Sequence, residues 1–255
     1  EDFTLMKKLF PGLLLIFTLI LVMVINDSAW AASGSKKKVL IIVNDYIGSG
    51  DIIAARTPNL DTLIKKSATG LMNNRGKNKL PVSTYMSLAV GTRVAAASGA
   101  ELSYNSGETD ISLMGIVPIN YSGIKAGELY QNFTGHRAPA QGVVNLFIEP
   151  GKLYAETRNP VYQPGQLGLL ARQNHLRTGV LGNADTVNTF DRSAALLTMD
   201  ENGVTPLGNV SRDLMEKSPL SPGGLRCDHQ KIINNLDKLL KSCDIVVLDT
   251  GDTSR

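Results

Sequence analysis

Continuous apolar runs alternate with amphipathic stretches over most of the chain. The runs Lys38–Val43 and Asp244–Asp249 are rich in Val, Ile and Leu, a pattern typical of strands that are buried on both faces of a parallel sheet. Further strands are predicted at 177–182 and 194–198, and helices at 58–64, 86–93, 166–175 and between 228 and 243. This alternation predicts an α/β protein with a doubly wound, mostly parallel sheet and helices on both faces.

Two of the predicted helices begin with capping signals. Thr57 precedes Pro58, which suits the first helical position, and Asp228 precedes the last helix. The stretch 101–164 is different, because it is rich in Gly, Ser, Asn and Tyr and shows no sustained period. We predict that this stretch is an irregular insertion or cap over an edge of the sheet.

The first residues have the pattern of a secretory signal peptide. A basic segment, Met6–Lys8, precedes an apolar run at 13–25, and Ala29–Ala31 places small residues before a cleavage site after Ala31. We expect residues 1–31 to comprise upstream residues and the leader, and 32–37 to form a linker. The mature protein would then be exported, to the cell envelope or the medium. An uncleaved membrane anchor is the alternative.

The last predicted strand is followed by only a short loop that ends at Arg255. We therefore expect the α/β domain at 38–255 to lack a C-terminal part. The formal net charge is only +3, which offers no electrostatic case for nucleic acid binding. Membrane contact is expected only through the leader or through a missing C-terminal segment.

The cysteines, Cys227 and Cys243, lie on either side of the last predicted helix. A helix of about 14 residues would hold its ends about 20 Å apart, which is far beyond the reach of a disulfide. We therefore predict two free or separately partnered thiols.

Candidate chemistry lies where the first strand ends. Asp45 follows that strand in a glycine-rich loop, and ligands of open α/β sheets bind beyond the carboxyl ends of the strands. Ser83 and Thr84 precede the helix predicted from Met86 and could present a hydroxyl at its N-terminus. A carboxylate and a hydroxyl in these places suit metal-assisted transfer to or from an anionic ester. Alternatively, Asp45 forms a turn and the hydroxyls cap the helix.

The same region resembles a family. Asn44-Asp45 through Gly48-Ser-Gly-Asp51, followed by Thr57-Pro-Asn-Leu-Asp61, resembles the opening of sulfatases and other members of the alkaline phosphatase superfamily. Ser87–Gly91 is similar to the helix that follows the family's nucleophile, and 165–182 is similar to a later helix and strand. The chain departs from the family at Asn44, which stands where the family usually has an aspartate, and it lacks the Cys-x-Pro-Ser-Arg motif of sulfatases.

This resemblance implies an alkaline-phosphatase-like fold and divalent metal ions, either zinc, manganese or calcium. Ser83 or Thr84 would be the nucleophile, Asp45 and Asp252 would be metal ligands, and Asn183 and Asp185 would contact the substrate. Asn183 and Asp185 could instead form a loop turn. The implied function is hydrolysis or transfer of a phosphoester or sulfoester, on a small molecule or an envelope polymer. The alternative is a non-catalytic, envelope-associated binding or scaffold protein with the same fold.

Overall fold

We analysed a computed structural model that describes residues 37–73, 75–112, 123–158 and 162–255. The predicted leader and most of the predicted linker lie outside these residues. The described α-helices are α1 Ser49–Ala54, α2 Pro58–Lys66, α3 Pro81–Val90, α4 Ala126–Thr134, α5 Ile148–Arg158, α6 Gln166–Gln173 and α7 His229–Ser242. The strands are β1 Val39–Val43, β2 Ser103–Asn105, β3 Val143–Asn145, β4 Thr178–Gly182, β5 Val204–Thr205, β6 Leu207–Asn209, β7 Met215–Lys217, β8 Leu225–Cys227 and β9 Ile245–Asp249.

A four-stranded parallel sheet with the order β1-β9-β4-β6 forms the centre of the fold. Asp249, the last residue of β9, lies opposite Val43 of β1 and Gly182 of β4. The carboxyl ends of these strands therefore meet at one edge, which we call the carboxyl edge. The predicted α/β class with a parallel sheet is confirmed.

The two central strands of the sheet, β9 and β4, are covered on both faces, and successive residues of each strand enter opposite cores. Side chains on one face join a core with α3 and the 3₁₀ helix Ser193–Leu197, and side chains on the other face join a core with α7. The first core receives Val180 and Val247, and the second receives Leu181, Val246 and Leu248. Because successive residues of a strand point to opposite faces, this division follows directly from the continuous apolar runs in β4 and β9.

The stretch 101–164 contains regular elements, namely α4, α5, β2 and β3. Strands β2 and β3 form a small antiparallel sheet with β5. Tyr104 and Tyr130 are completely buried, and their hydroxyls donate hydrogen bonds to the backbone oxygens of Ser112 and Asn202. These tyrosines anchor the stretch to the core.

The predicted start of the last helix is confirmed. The Asp228 side chain accepts a hydrogen bond from the Lys231 backbone N–H at 3.1 Å, which makes Asp228 the N-cap of α7. Cys227 and Cys243 lie on either side of this helix, and both are free and buried. No helix of the described residues is long and apolar enough to cross a membrane.

The expectation that β1 is buried on both faces is wrong. Val39, Leu40 and Ile42 are 50%, 39% and 54% exposed, because β1 is an outer strand of the sheet and pairs only with β9 among the described residues. The apolar side of α2 is also exposed, with Leu63 at 60%. An apolar run predicts a strand correctly but does not say whether the strand is central or at an edge.

Two further elements differ from their predictions. The run at 194–198 is not a strand but the 3₁₀ helix Ser193–Leu197, which is fully buried between α3 and the sheet. A short apolar run fits either structure, and only its packing decides between them. The helix predicted from Met86 already begins at Pro81, so Ser83 and Thr84 lie inside its first turn.

Candidate functional site

Asp45 lies at the carboxyl edge, two residues beyond β1. Tyr46, the next residue, has a φ of 58°, a left-handed conformation that is uncommon for residues other than glycine. The chain therefore turns sharply directly after Asp45. This turn keeps Asp45 near the end of β1, in the place that the strand pattern predicts for it.

A tyrosine on α3 holds the Asp45 carboxylate. The Tyr85 hydroxyl donates a hydrogen bond to Asp45 Oδ2 at 2.5 Å. Burial raises the pKa of Tyr85 far above its ordinary value, and the charges of Asp249 and Asp45 raise it further. The phenol therefore remains protonated and acts as a fixed donor to Asp45. Nothing in the sequence pattern marks Tyr85 as a partner of Asp45, because the two residues lie 40 positions apart.

Asp249 ends the neighbouring strand and is only 3% exposed. Its Oδ1 accepts a hydrogen bond from the Gly251 backbone N–H at 2.8 Å. Burial is the main cause that raises the pKa of Asp249 to about 7, and the nearby charges of Asp191 and Asp45 add to the shift. The Gly251 hydrogen bond and the Arg255 charge oppose it. We call the group of Asp45, Tyr85, Asp191 and Asp249 the acidic end of the carboxyl edge.

Gly182 allows β4 to end beside Asp249. Its φ is +93°, and a Cβ atom at this position would lie 1.8 Å from the Asp249 backbone oxygen. Any side chain would therefore displace the backbone that carries the buried carboxylate. The place of Asp249 depends on the absence of a side chain in the neighbouring strand.

The hydroxyl of Ser83 is part of the surrounding loop structure. Ser83 is fully buried, its Oγ accepts a hydrogen bond from the Ala96 N–H at 2.8 Å, and its hydroxyl donates to Asn78 Oδ1. Thr84 is half-buried, and its hydroxyl makes no hydrogen bond within the described part of the chain. Of the two predicted nucleophiles, Thr84 is therefore the one with an unoccupied hydroxyl.

Asn183 and Asp185 are fully buried and already occupied by the protein. The Asn183 amide donates to the backbone oxygens of Val210 and Ser211, both at 3.0 Å, and Asn183 Oδ1 accepts from the Asp185 N–H. The structure thus gives Asn183 the turn-forming role that the sequence left open as an alternative to substrate contact.

Asp185 belongs to a buried ion network that sequence reasoning missed. Arg192, with no exposed side-chain surface, bonds Asp185 Oδ2 at 3.0 Å and holds both carboxylate oxygens of Glu108, at 2.8 and 2.9 Å. Arg212 lies 3.3 Å from the same Asp185 oxygen. We call Glu108, Asp185, Arg192 and Arg212 the arginine end of the carboxyl edge.

Aromatic rings complete the arginine end. The Arg192 guanidinium lies 4.8 Å from the Tyr104 ring centroid and 5.0 Å from that of Phe190, and the Arg212 guanidinium lies 4.1 Å from Phe190. Burial alone would lower the pKa of Arg192, but Asp185 and Glu108 raise it above its ordinary value. Arg192 therefore remains charged beside the two carboxylates.

Asp252, the second predicted metal ligand, is bonded to residues other than those of the acidic end. Its Oδ1 accepts hydrogen bonds from the Cys227 N–H at 2.9 Å and from Arg255 at 3.1 Å, and its Oδ2 lies 3.4 Å from His229 Nε2. These contacts tie Asp252 to β8 and to the start of α7. The carboxylate whose pKa is affected by the charge of Asp45 is Asp249, and its place at the end of a predicted strand is the signal that marks it in the sequence.

Within the described ranges, no group of three or more His, Cys, Asp or Glu side chains is arranged to hold a metal ion. Comparison of the chain with protein-family models, curated proteins and solved structures found no match. The function is therefore inferred from the chemistry of the carboxyl edge.

Proposed function

We propose that the protein is an exported, metal-dependent hydrolase or transferase of phosphoesters or sulfoesters, with an alkaline-phosphatase-like fold and a substrate in the cell envelope. One observation carries the proposal: Asp249 ends β9, Asp45 lies two residues beyond the adjacent parallel strand β1, and the charge of Asp45 helps to raise the pKa of Asp249 to about 7. Neighbouring carboxylates repel each other, and a cation placed between them relieves this repulsion.

The donor atoms of the acidic end fit a divalent cation that prefers oxygen. Manganese and calcium take carboxylate ligands readily, whereas zinc favours nitrogen and sulfur, so Asp45 and Asp249 favour the first two ions. Sites with one or two carboxylates are usually completed by water and by the substrate's own phosphate oxygens. Two protein ligands are thus compatible with an ester site of this class.

The residues around the cation site have separable roles in this proposal. A bound cation would polarise the ester and stabilise the charge on its oxygens. Tyr85 holds Asp45 in one orientation through its hydrogen bond and keeps its own proton. Thr84, the neighbour of Tyr85 in the first turn of α3, offers the unoccupied hydroxyl for attack. Ser83 supports the loop that faces this turn.

A second function is favoured by a different observation. Ser83, Asn183, Asp185 and Asp252 are all engaged in hydrogen bonds or ion pairs within the protein. A chain that has turned these positions to structural use fits a non-catalytic binding or scaffold protein of the envelope. The two proposals differ in whether Thr84 and the acidic end perform chemistry.

Assays with chromogenic phosphomonoesters, phosphodiesters and sulfate esters, each with manganese, calcium or zinc, separate the two proposals. For the hydrolase, Thr84→Val should reduce the rate by at least on the order of 10³-fold, and Thr84→Ser should restore a substantial part of it. Tyr85→Phe should fold and lower the rate by disturbing Asp45. Activity that survives Thr84→Val assigns the nucleophile elsewhere, and no activity of the wild type on any ester favours the binding protein.

A further inference from the structure

A cleft of about 570 Å³ opens beside β6, at the far end of the carboxyl edge from Asp45. Its walls are the end of β2, the loop before β3, the end of β6 and one face of α7. Three strand spacings separate β6 from β1, so the cleft lies about 14 Å along the edge from Asp45. Its volume is within the range of small-molecule sites.

Four side-chain amides belong to the lining of the cleft. Asn105, Gln141, Asn209 and Asn235 contribute carboxamides, and Ser106 and Ser211 contribute hydroxyls. Carboxamides donate and accept hydrogen bonds at once, as the hydroxyl groups of a sugar or polyol do. Such a wall can donate hydrogen bonds to the oxygens of several ligand hydroxyls and accept hydrogen bonds from their protons.

The charge of the cleft disfavours anions. Arg212 faces Asp185, and Glu108 is held by Arg192, so these charges are already balanced. Asp110 and Asp213 also line the cleft, and neither forms an ion pair within the described residues, although Asp213 Oδ1 accepts hydrogen bonds from the Ser211 hydroxyl and from Asn209 Nδ2. Lys231 Nζ donates to the Asp213 backbone oxygen at 2.8 Å and offsets part of this negative charge. The remaining field is negative, which repels a phosphate or carboxylate ligand and favours a neutral or weakly cationic one.

The inner wall is held in place before any ligand arrives. Asn105 Nδ2 donates to Asn209 Oδ1 at 2.7 Å, and Asn105 Oδ1 accepts from the Val210 N–H at 2.9 Å. In contrast, the Gln141 side chain makes no hydrogen bond in the described part of the chain, and the Asn235 amide donates only to the Lys231 backbone oxygen at 2.8 Å. A wall that is already rigid, with unused amide groups opposite it, lowers the conformational entropy lost when a ligand binds.

We propose that this cleft binds a neutral polyhydroxylated ligand, a sugar unit, through the amides of Gln141 and Asn235 and the Oδ2 atom of Asp213. The ligand is recognised by its hydroxyl groups. This binding site is independent of the ester chemistry proposed for the acidic end, because it involves neither Asp45 nor Asp249.

Saturation-transfer NMR on the full chain tests the proposal with glucose, galactose, mannose and N-acetylglucosamine, and with glucuronate and glucose 6-phosphate as anionic probes. At least one neutral sugar should bind, and it should bind more tightly than either anion. Gln141→Ala and Asn235→Ala should each weaken binding by roughly three- to tenfold, as expected for the loss of one hydrogen bond.

Asn234→Ala provides a matched control, because Asn234 is the neighbouring amide on α7 and is absent from the lining of the cleft. It should leave the dissociation constant unchanged. Three results would overturn the proposal: no neutral sugar binds, an anion binds more tightly, or Asn234→Ala weakens binding as much as Asn235→Ala. Calcium alone displacing the sugar would also overturn it, since the carboxylates would then form a cation site.

Discussion

At the arginine end of the carboxyl edge each buried carboxylate faces a guanidinium. At the acidic end the charges of Asp191 and Asp45 raise the pKa of Asp249, the Arg255 charge opposes this shift only in part, and the donor to Asp45 is a neutral phenol. The first arrangement satisfies its charges with the protein's own residues. The second leaves negative charge in a partly buried place, where Coulomb repulsion is weakly screened. The protein's own residues therefore compensate the charge more fully at the arginine end than at the acidic end, where we propose that an external cation binds.

Removing the compensation at the arginine end should have the largest effect. Arg192→Met leaves Asp185 and Glu108 buried without their main partner, so we expect a loss of roughly 3–5 kcal/mol in the free energy of unfolding. Urea denaturation followed by circular dichroism measures it. Arg226→Met is the control, because its ion pair with Glu216 is 60% exposed on the arginine side and should contribute less than about 1 kcal/mol.

The acidic end should show the opposite response to neutralisation. The folded protein holds the proton of Asp249 more tightly than the unfolded chain does. The protonated Asp249 therefore stabilises the folded state fully below about pH 4, and this stabilisation is lost as the pH rises through about 7. In buffer with a chelator, the free energy of unfolding of the wild type should fall relative to that of Asp249→Asn by up to roughly 1.4 kcal/mol per pH unit in this window. Equal pH profiles for the two proteins would contradict the raised pKa of Asp249.

A divalent cation should replace the missing compensation at the acidic end. At pH 8, manganese or calcium at 100 times its dissociation constant should raise the free energy of unfolding by about 2.7 kcal/mol. Asp45→Asn should remove most of this gain. Asp51→Asn should keep it, because Asp51 accepts a hydrogen bond from the Gly48 N–H at 2.8 Å and serves the start of α1. Equal responses of the two variants would speak against a site at Asp45.

The smallest effect should come from an exposed apolar side chain of α2. Leu63 on α2 is 60% exposed, so Leu63→Ser should change the free energy of unfolding by less than about 0.5 kcal/mol. Leu181→Ala, at a fully buried position of β4, should cost about 2–5 kcal/mol. A large loss at Leu63, measured in the same urea titrations, would mean that α2 is covered in solution.

The acidic end could be predicted better than the arginine end, and the reason is sequence separation. Asp45 and Asp249 each follow a continuous apolar run, and parallel strands bring such positions together at one edge. Arg192 and Glu108 are 84 residues apart, and no local pattern marks either of them as a partner of the other. The same limit explains why β1 was expected to be buried and why the run at 194–198 was expected to be a strand.

The open side of β1 has a consequence for the behaviour of the chain in solution. Within the described residues, β1 has a hydrogen-bonded neighbour on one side only, and its side chains there are half-exposed Val, Leu and Ile. A row of free backbone donors and acceptors with apolar flanks is a template that recruits further strands, and neither proline nor a bulge interrupts it here. Concentrated preparations of this chain should therefore aggregate edge to edge, and a lysine in place of Ile42 would be a simple remedy.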